Sequence, residues 1–128
     1  MDKQAKNIDL LEHIARYCEE ISQTHTAFGD SFEKFKGNKD YFKSISMSLL
    51  QIGELANHLS KDFQKKYADL PYSAMISLRN IIVHGYGILE TKKIWDTSHQ
   101  DTPALQIRCL EILKEEENNN TSRKGQNN

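Results

Sequence analysis

Nowhere do more than three strongly apolar residues stand together in this sequence, Ile81-Ile82-Val83 being the longest such run. A membrane-spanning helix needs about 20 of them, so a span and a membrane partner are excluded. Asp2, Lys3, Lys6 and Glu12 stand where a secretory leader would carry its apolar stretch, and the expected location is the cytoplasm. Cysteine is limited to Cys18 and Cys109, neither with a His or Cys at ligand spacing. That argues against a zinc site and a disulfide framework, and both read as small core hydrophobes. No sign of charge dominates either: 17 basic against 18 acidic residues leave −1. General attraction to nucleic acid or anionic lipid is absent, so any phosphate recognition has to be local. No repeat of 20 to 50 residues is visible, and no alternation of apolar and polar residues reads as a strand.

What is present is helical periodicity, in a chain whose 128 residues fit one domain. Leu11, Ile14, Cys18 and Ile21 recur at three and four over Ile8 to Ile21, one buried helical face. The stretch from Thr24 to Lys39 reads as a connection tacked down by Phe28, Phe32 and Phe35. Phe42, Ile45, Leu49, Ile52, Ala56, Leu59 and Phe63 then predict a long amphipathic helix over Asp40–Gln64. Gly53 sits in its middle on a second stripe with Ser46, Leu50, Asn57 and Ser60, where another helix could approach closely, from this chain or a second copy. Asp69-Leu70-Pro71 ends that pattern. A third helix runs from Pro71 or Ser73 to Gly85, with Met75, Leu78 and Ile82 inward. Thr91 is placed as the cap of a short helix through Trp95, and Thr102-Pro103 as the start of a last one ending at Glu115-Glu116-Glu117. Asn118–Asn128 has no apolar residue and reads as a disordered polar tail, leaving residues 1–117 as the folded domain, with 15 basic against 18 acidic side chains. The expected fold is an all-α bundle of four to five helices.

One segment concentrates polar chemistry on an otherwise apolar helix: Leu78-Arg79-Asn80-Ile81-Ile82-Val83-His84-Gly85-Tyr86. Arg79 and His84 on the wet side, with Tyr86 filling a gap, would be a purely structural account. The alternative rests on what these side chains do together. Arg forks onto phosphate oxygens, His titrates near neutrality, and Asn offers neutral donors and an acceptor. They suffice for metal-independent RNA cleavage, in which a base activates the 2′-hydroxyl, an acid protonates the leaving 5′-oxygen and a cation stabilises the phosphorane. Five residues along an ideal helix is about 140° of rotation, so Arg79 and His84 do not share a face. Either the helix loosens around Val83–Gly85, or two copies meet across a two-fold axis and each cleft draws on both.

Arg, four residues, His, one residue, Tyr resembles the signature of the HEPN superfamily, and Arg79-Asn80 with His84-Gly85-Tyr86 is most similar to its HepT-like toxins. Asp9-Leu10-Leu11, Ile52-Gly53-Glu54, Leu70-Pro71-Tyr72 and Trp95 extend the resemblance over most of the chain. It implies a HEPN-like helical homodimer with Arg79 and His84 as catalytic residues in a shared cleft, and RNA cleavage without metal or other cofactor. It also implies the toxin role in a type VII-like toxin-antitoxin pair, whose antitoxin is a minimal nucleotidyltransferase of the MntA type. In that family the antitoxin transfers AMP onto the motif tyrosine, here Tyr86, adding bulk and negative charge beside the cleft. Tyr72 stands where the family often has Trp, and Gly87 where it often has an aromatic.

Asn80 and Glu54 are the expected positioning residues; Glu54 otherwise pairs with His58 one turn on. His13, His25, His58 and His99 form no metal-ligand set by spacing and read as surface or boundary residues. Trp95 reads as a core anchor and Glu115-Glu116-Glu117 as a solvated helix end. A non-catalytic helical partner of a nucleotidyltransferase, holding nucleotide or RNA with the same Arg and His, is the alternative function.

Overall fold

The computed structural model describes residues 2–85 and 88–126. Among them there is no strand, and the fold is all-α. Five helices of nine residues or more carry it: α1 (Lys3–Phe28), α3 (Lys39–His58), α5 (Tyr72–His84), α6 (Ile88–Asp96) and α7 (Thr102–Gln126). The six-residue helices α2 (Phe32–Gly37) and α4 (Lys61–Lys66) lie between them.

The α1 stripe Leu11, Ile14, Cys18 and Ile21 is buried as expected, but the helix outruns it at both ends. Asp2 caps the start by accepting from the Ala5 N–H at 2.8 Å, and Gly29, left-handed at φ 96°, ends it. Phe35 is fully buried against Tyr41 and Trp95, with Phe28 and Phe32 beside it, so the aromatics do fasten the 24–39 connection.

The long second helix is shorter than its stripe. It stops at His58, and Leu59 and Ser60 are extended before α4 begins. Leu59 and Phe63 remain buried, which is why periodicity carries on across the break. The break is supported from α1: the buried Asn7 accepts from the Ser60 N–H at 3.0 Å and donates to Ser60 Oγ at 2.9 Å, while Ser60 Oγ accepts from the Phe63 N–H at 3.2 Å. Groups left without helical partners are thereby satisfied.

At the other end of the chain, Thr91 lies inside α6 and does not cap it. Thr102 begins α7 as expected, though with no break in the chain before it. The chain passes from α6 through a π-helical turn, Thr97–Asp101, straight into α7, and the Thr102 hydroxyl bonds back to the Ser98 carbonyl at 2.7 Å. The helix then continues past the expected end at Glu117, each residue adding one backbone bond to a structure already nucleated.

Glu116 is not solvated. It is 4% exposed and accepts hydrogen bonds from Gln4 of α1 at 3.1 Å, Lys66 of α4 at 2.9 Å and the Tyr67 hydroxyl. Burial alone would raise its carboxyl pKa, but these donors outweigh that and hold it below the usual range. Cys18 and Cys109 are free and buried, and burial pushes both thiols up to about 12, as inert core residues. No described helix is long and apolar enough to cross a membrane.

Candidate active site

The site is built where α5 crosses α3. Gly53 of α3 faces α5 so closely that a Cβ there would meet the Met75 carbonyl oxygen at 2.8 Å and collide with the Arg79 Cβ. The small residue in the long helix therefore admits α5 of the same chain, settling the question its stripe raised. One turn of contact later the consequence appears: Arg79 Nε donates to Glu54 Oε1 at 2.5 Å. Arg79 Nη1 donates to Asn80 Oδ1 at 2.8 Å.

Glu54, Arg79 and Asn80 thus form one polar group on a half-exposed surface, and the pairing of Glu54 with His58 is not made. A guanidinium has five N–H donors in a fixed plane. Among the described residues two are engaged, by Glu54 and Asn80, which hold the plane, and a guanidinium so fixed can present its remaining donors to an anion.

His84 lies in the last turn of α5, exposed, with Gly85 at φ 102° directly after it. The helix stays regular through His84, so the loosening considered for Val83–Gly85 comes only after the histidine. Within one chain Arg79 and His84 consequently project about 140° apart. The expected modification residue, Tyr86, lies outside the described residues.

A groove of about 920 Å³ runs beside α5, lined by Lys36, Lys39 and Lys43 together with Phe32, Phe42 and Ile82. Composition shows no basic excess; the fold gathers three lysines from the α2–α3 region into one place. Ser46 lines the same groove with its hydroxyl buried and unpaired.

Two expectations about other residues change. His25 is buried at 6% exposure, not a boundary residue, and burial pushes its pKa down to about 4, with His99 adding to the effect and Asp30 opposing it. His25 and His99, far apart in sequence, meet with their rings tilted by 40° and 3.8 Å between centroids. Trp95 is a core anchor, packed among Phe32, Phe35, His25 and His99.

The profile of the family described as Ribonuclease HepT-like matches residues 10–112. The chain belongs to the HepT-like ribonuclease family. Among its relatives is a protein of Caldanaerobacter subterraneus subsp. tengcongensis, provisionally named as an RNase, 31% identical over 106 residues that cover 83% of this chain and 93% of the relative. A protein of Thermococcus cleftensis named "Probable ribonuclease HepT" is 28% identical over 106 residues, covering 83% of this chain and 94% of its own. One from Methanocaldococcus jannaschii, also provisionally named as an RNase, is 32% identical over 85 residues, 66% of this chain and 70% of that one. No solved structure matches the chain significantly. In this HepT-like chain the family match spans α3 and α5, and with them every residue of the Glu54–Arg79–Asn80 group and His84.

Proposed function

We propose that this chain is an endoribonuclease that cuts RNA through its own 2′-hydroxyl, as the toxin of a type VII-like toxin-antitoxin pair in the cytoplasm. The observation that carries the reading is the guanidinium of Arg79, oriented by Glu54 and Asn80 on the family-matched helix that ends at His84. Arg79 binds the scissile phosphate and stabilises the phosphorane, His84 transfers the proton, and Glu54 and Asn80 are positioning residues. DNA lacks the attacking hydroxyl and is not a substrate by this route.

Because Arg79 and His84 diverge on one helix, the working cleft is formed by two copies, each supplying one histidine, so that one acts as base and the other as acid. Exposed Met47 on α3 and Val83 on α5, at 46% and 49%, supply apolar surface for that pairing on the same two helices. The groove lined by Lys36, Lys39 and Lys43 offers phosphate contacts for RNA beyond the cut. A minimal nucleotidyltransferase antitoxin silences the enzyme by adenylylating Tyr86.

The test is incubation of purified, unmodified protein with total RNA in EDTA, beside the Arg79→Ala, His84→Ala and Tyr86→Phe forms. Cleavage leaving 2′,3′-cyclic phosphate and 5′-hydroxyl ends is expected from the wild type and Tyr86→Phe and not from the other two. No cleavage by any form, with mass spectrometry showing unmodified Tyr86, overturns the proposal in favour of a non-catalytic nucleotide- or RNA-binding partner.

A further inference from the structure

A second concentration of titratable groups lies on elements that the Glu54–Arg79 pair does not use. His25 in the last turn of α1, Asp30 in the turn to α2 and His99 in the π-helical turn each bring one ligand-capable atom within 4.8 Å of the others. Departures from regular backbone converge there. Asp30 is left-handed at φ 51° after Gly29, and its N–H bonds to the His25 carbonyl at 2.8 Å, which returns its carboxylate toward the His25 ring. The π-helical turn carries Ser98 and His99, and such turns recur at functional sites.

The hydrogen bonds assign the tautomers. The Ser98 hydroxyl donates to the Trp95 carbonyl at 2.7 Å, so its oxygen is free to accept from His25 Nε2 at 2.9 Å. His25 Nε2 therefore carries the proton and Nδ1 the lone pair. His99 Nδ1 faces the Trp95 carbonyl at 3.2 Å, which can only accept, so Nδ1 donates there and Nε2 is the nitrogen left to face Asp30. His25 Nδ1 and His99 Nε2 are thus the ring nitrogens turned to Asp30 Oδ1, at 4.0 Å and 2.5 Å. Without an ion, the Tyr41 hydroxyl bonds to His25 Nδ1, and a hydrogen bond joins His99 Nε2 to Asp30 Oδ1.

We propose that His25 Nδ1, His99 Nε2 and Asp30 Oδ1 form a site for a divalent transition ion of the zinc class, which fastens the α1–α2 turn to the α6–α7 junction. Imidazole and carboxylate suit such an ion, and histidine ligands are held by donation from the other ring nitrogen, as both are here. Donors 2.0–2.1 Å from a tetrahedral ion lie about 3.3 Å apart, between the 2.5 and 4.0 Å separations found. The ion displaces the proton held between His99 and Asp30, which leaves to solvent. It also displaces the Tyr41 hydroxyl, which bonds to His25 Nδ1 in its absence. With three protein donors the fourth position stays open. Asp30 and His99, with side chains 57% and 30% exposed, provide the way in. Spacing could not reveal the set, because its members come from three elements.

Metal-stripped full-length protein titrated with zinc by calorimetry, and with cobalt by visible absorption, tests this independently of any RNA cleavage. One ion per chain is expected, with a cobalt ligand-field band and a rise in Tm. His99→Gln and Asp30→Asn, both at accessible positions, should weaken binding about tenfold or more. His13→Gln, on the surface beside Asp9, should leave it unchanged. Absence of binding at about 0.1 mM zinc, or equal loss in His13→Gln and His99→Gln, overturns the site.

Discussion

Replacing Gly53 by alanine isolates the crossing that places the candidate site. In the middle of a free helix this change stabilises by about 1 kcal/mol. Here the new Cβ would stand 2.8 Å from the Met75 carbonyl oxygen and collide with the Arg79 Cβ. Neither obstacle is the end of a flexible side chain, so relief requires α3 and α5 to separate. Overpacking of this kind costs about 1–3 kcal/mol, and rigid partners place it at the upper end. The net expectation is a loss of about 2 kcal/mol, read by urea unfolding followed by circular dichroism, with a Tm lower by roughly 4–16 °C. Gly37→Ala is the matched control, with nothing within 4 Å of its Cβ position and no left-handed φ. It should gain about 0.4–1 kcal/mol through the unfolded state. A Gly53→Ala variant as stable as wild type would refute the close-contact reasoning. RNA cleavage by the same variant should fall as well, because the helix carrying Arg79 is displaced.

Glu116→Gln should cost on the order of 2–4 kcal/mol in chemical denaturation, since Lys66 and Tyr67 lose a buried anionic acceptor. The same carboxylate makes stability depend on acid. Its folded pKa lies below the unfolded value, so its contribution is complete above about pH 5 and disappears as pH falls through the depressed folded value. Wild type and Glu116→Gln should then converge in stability on acidification, and parallel curves would contradict this. Asn7→Ala should destabilise by about 1–3 kcal/mol, because the Ser60 N–H loses its partner at the α3–α4 break. Glu54→Gln should leave unfolding nearly unchanged while lowering cleavage about 10- to 100-fold through a misplaced Arg79, which a kcat measurement checks.

Much of the helical frame was legible in residue order. The stripes of α1, α3 and α5 fall on buried positions except for Phe42 and Ile82, which are partly buried, and Pro71 and Gly85 bracket α5 as turn chemistry requires. A stripe records which side is buried, not whether the backbone is continuous. Leu59 and Phe63 keep the period over a break whose local signal was Ser60, Thr91 resembles a cap but lies inside α6, and Thr102 starts α7 directly after a π-helical turn rather than after a loop. Arg79, Asn80 and His84 announce themselves as polar residues on an apolar helix, whereas Glu54 had two equally good partners until α3 and α5 were placed together.

By itself, then, the sequence determined the all-α class, most of the inward faces of α1, α3 and α5, and the family, because local periodicity and a spaced motif are written along the chain. Tertiary structure alone decided that Gly53 admits α5 of the same chain, that Glu54 holds Arg79, that Glu116 is buried and that His25, Asp30 and His99 meet. Those facts depend on distances between residues tens of positions apart, which no local pattern encodes.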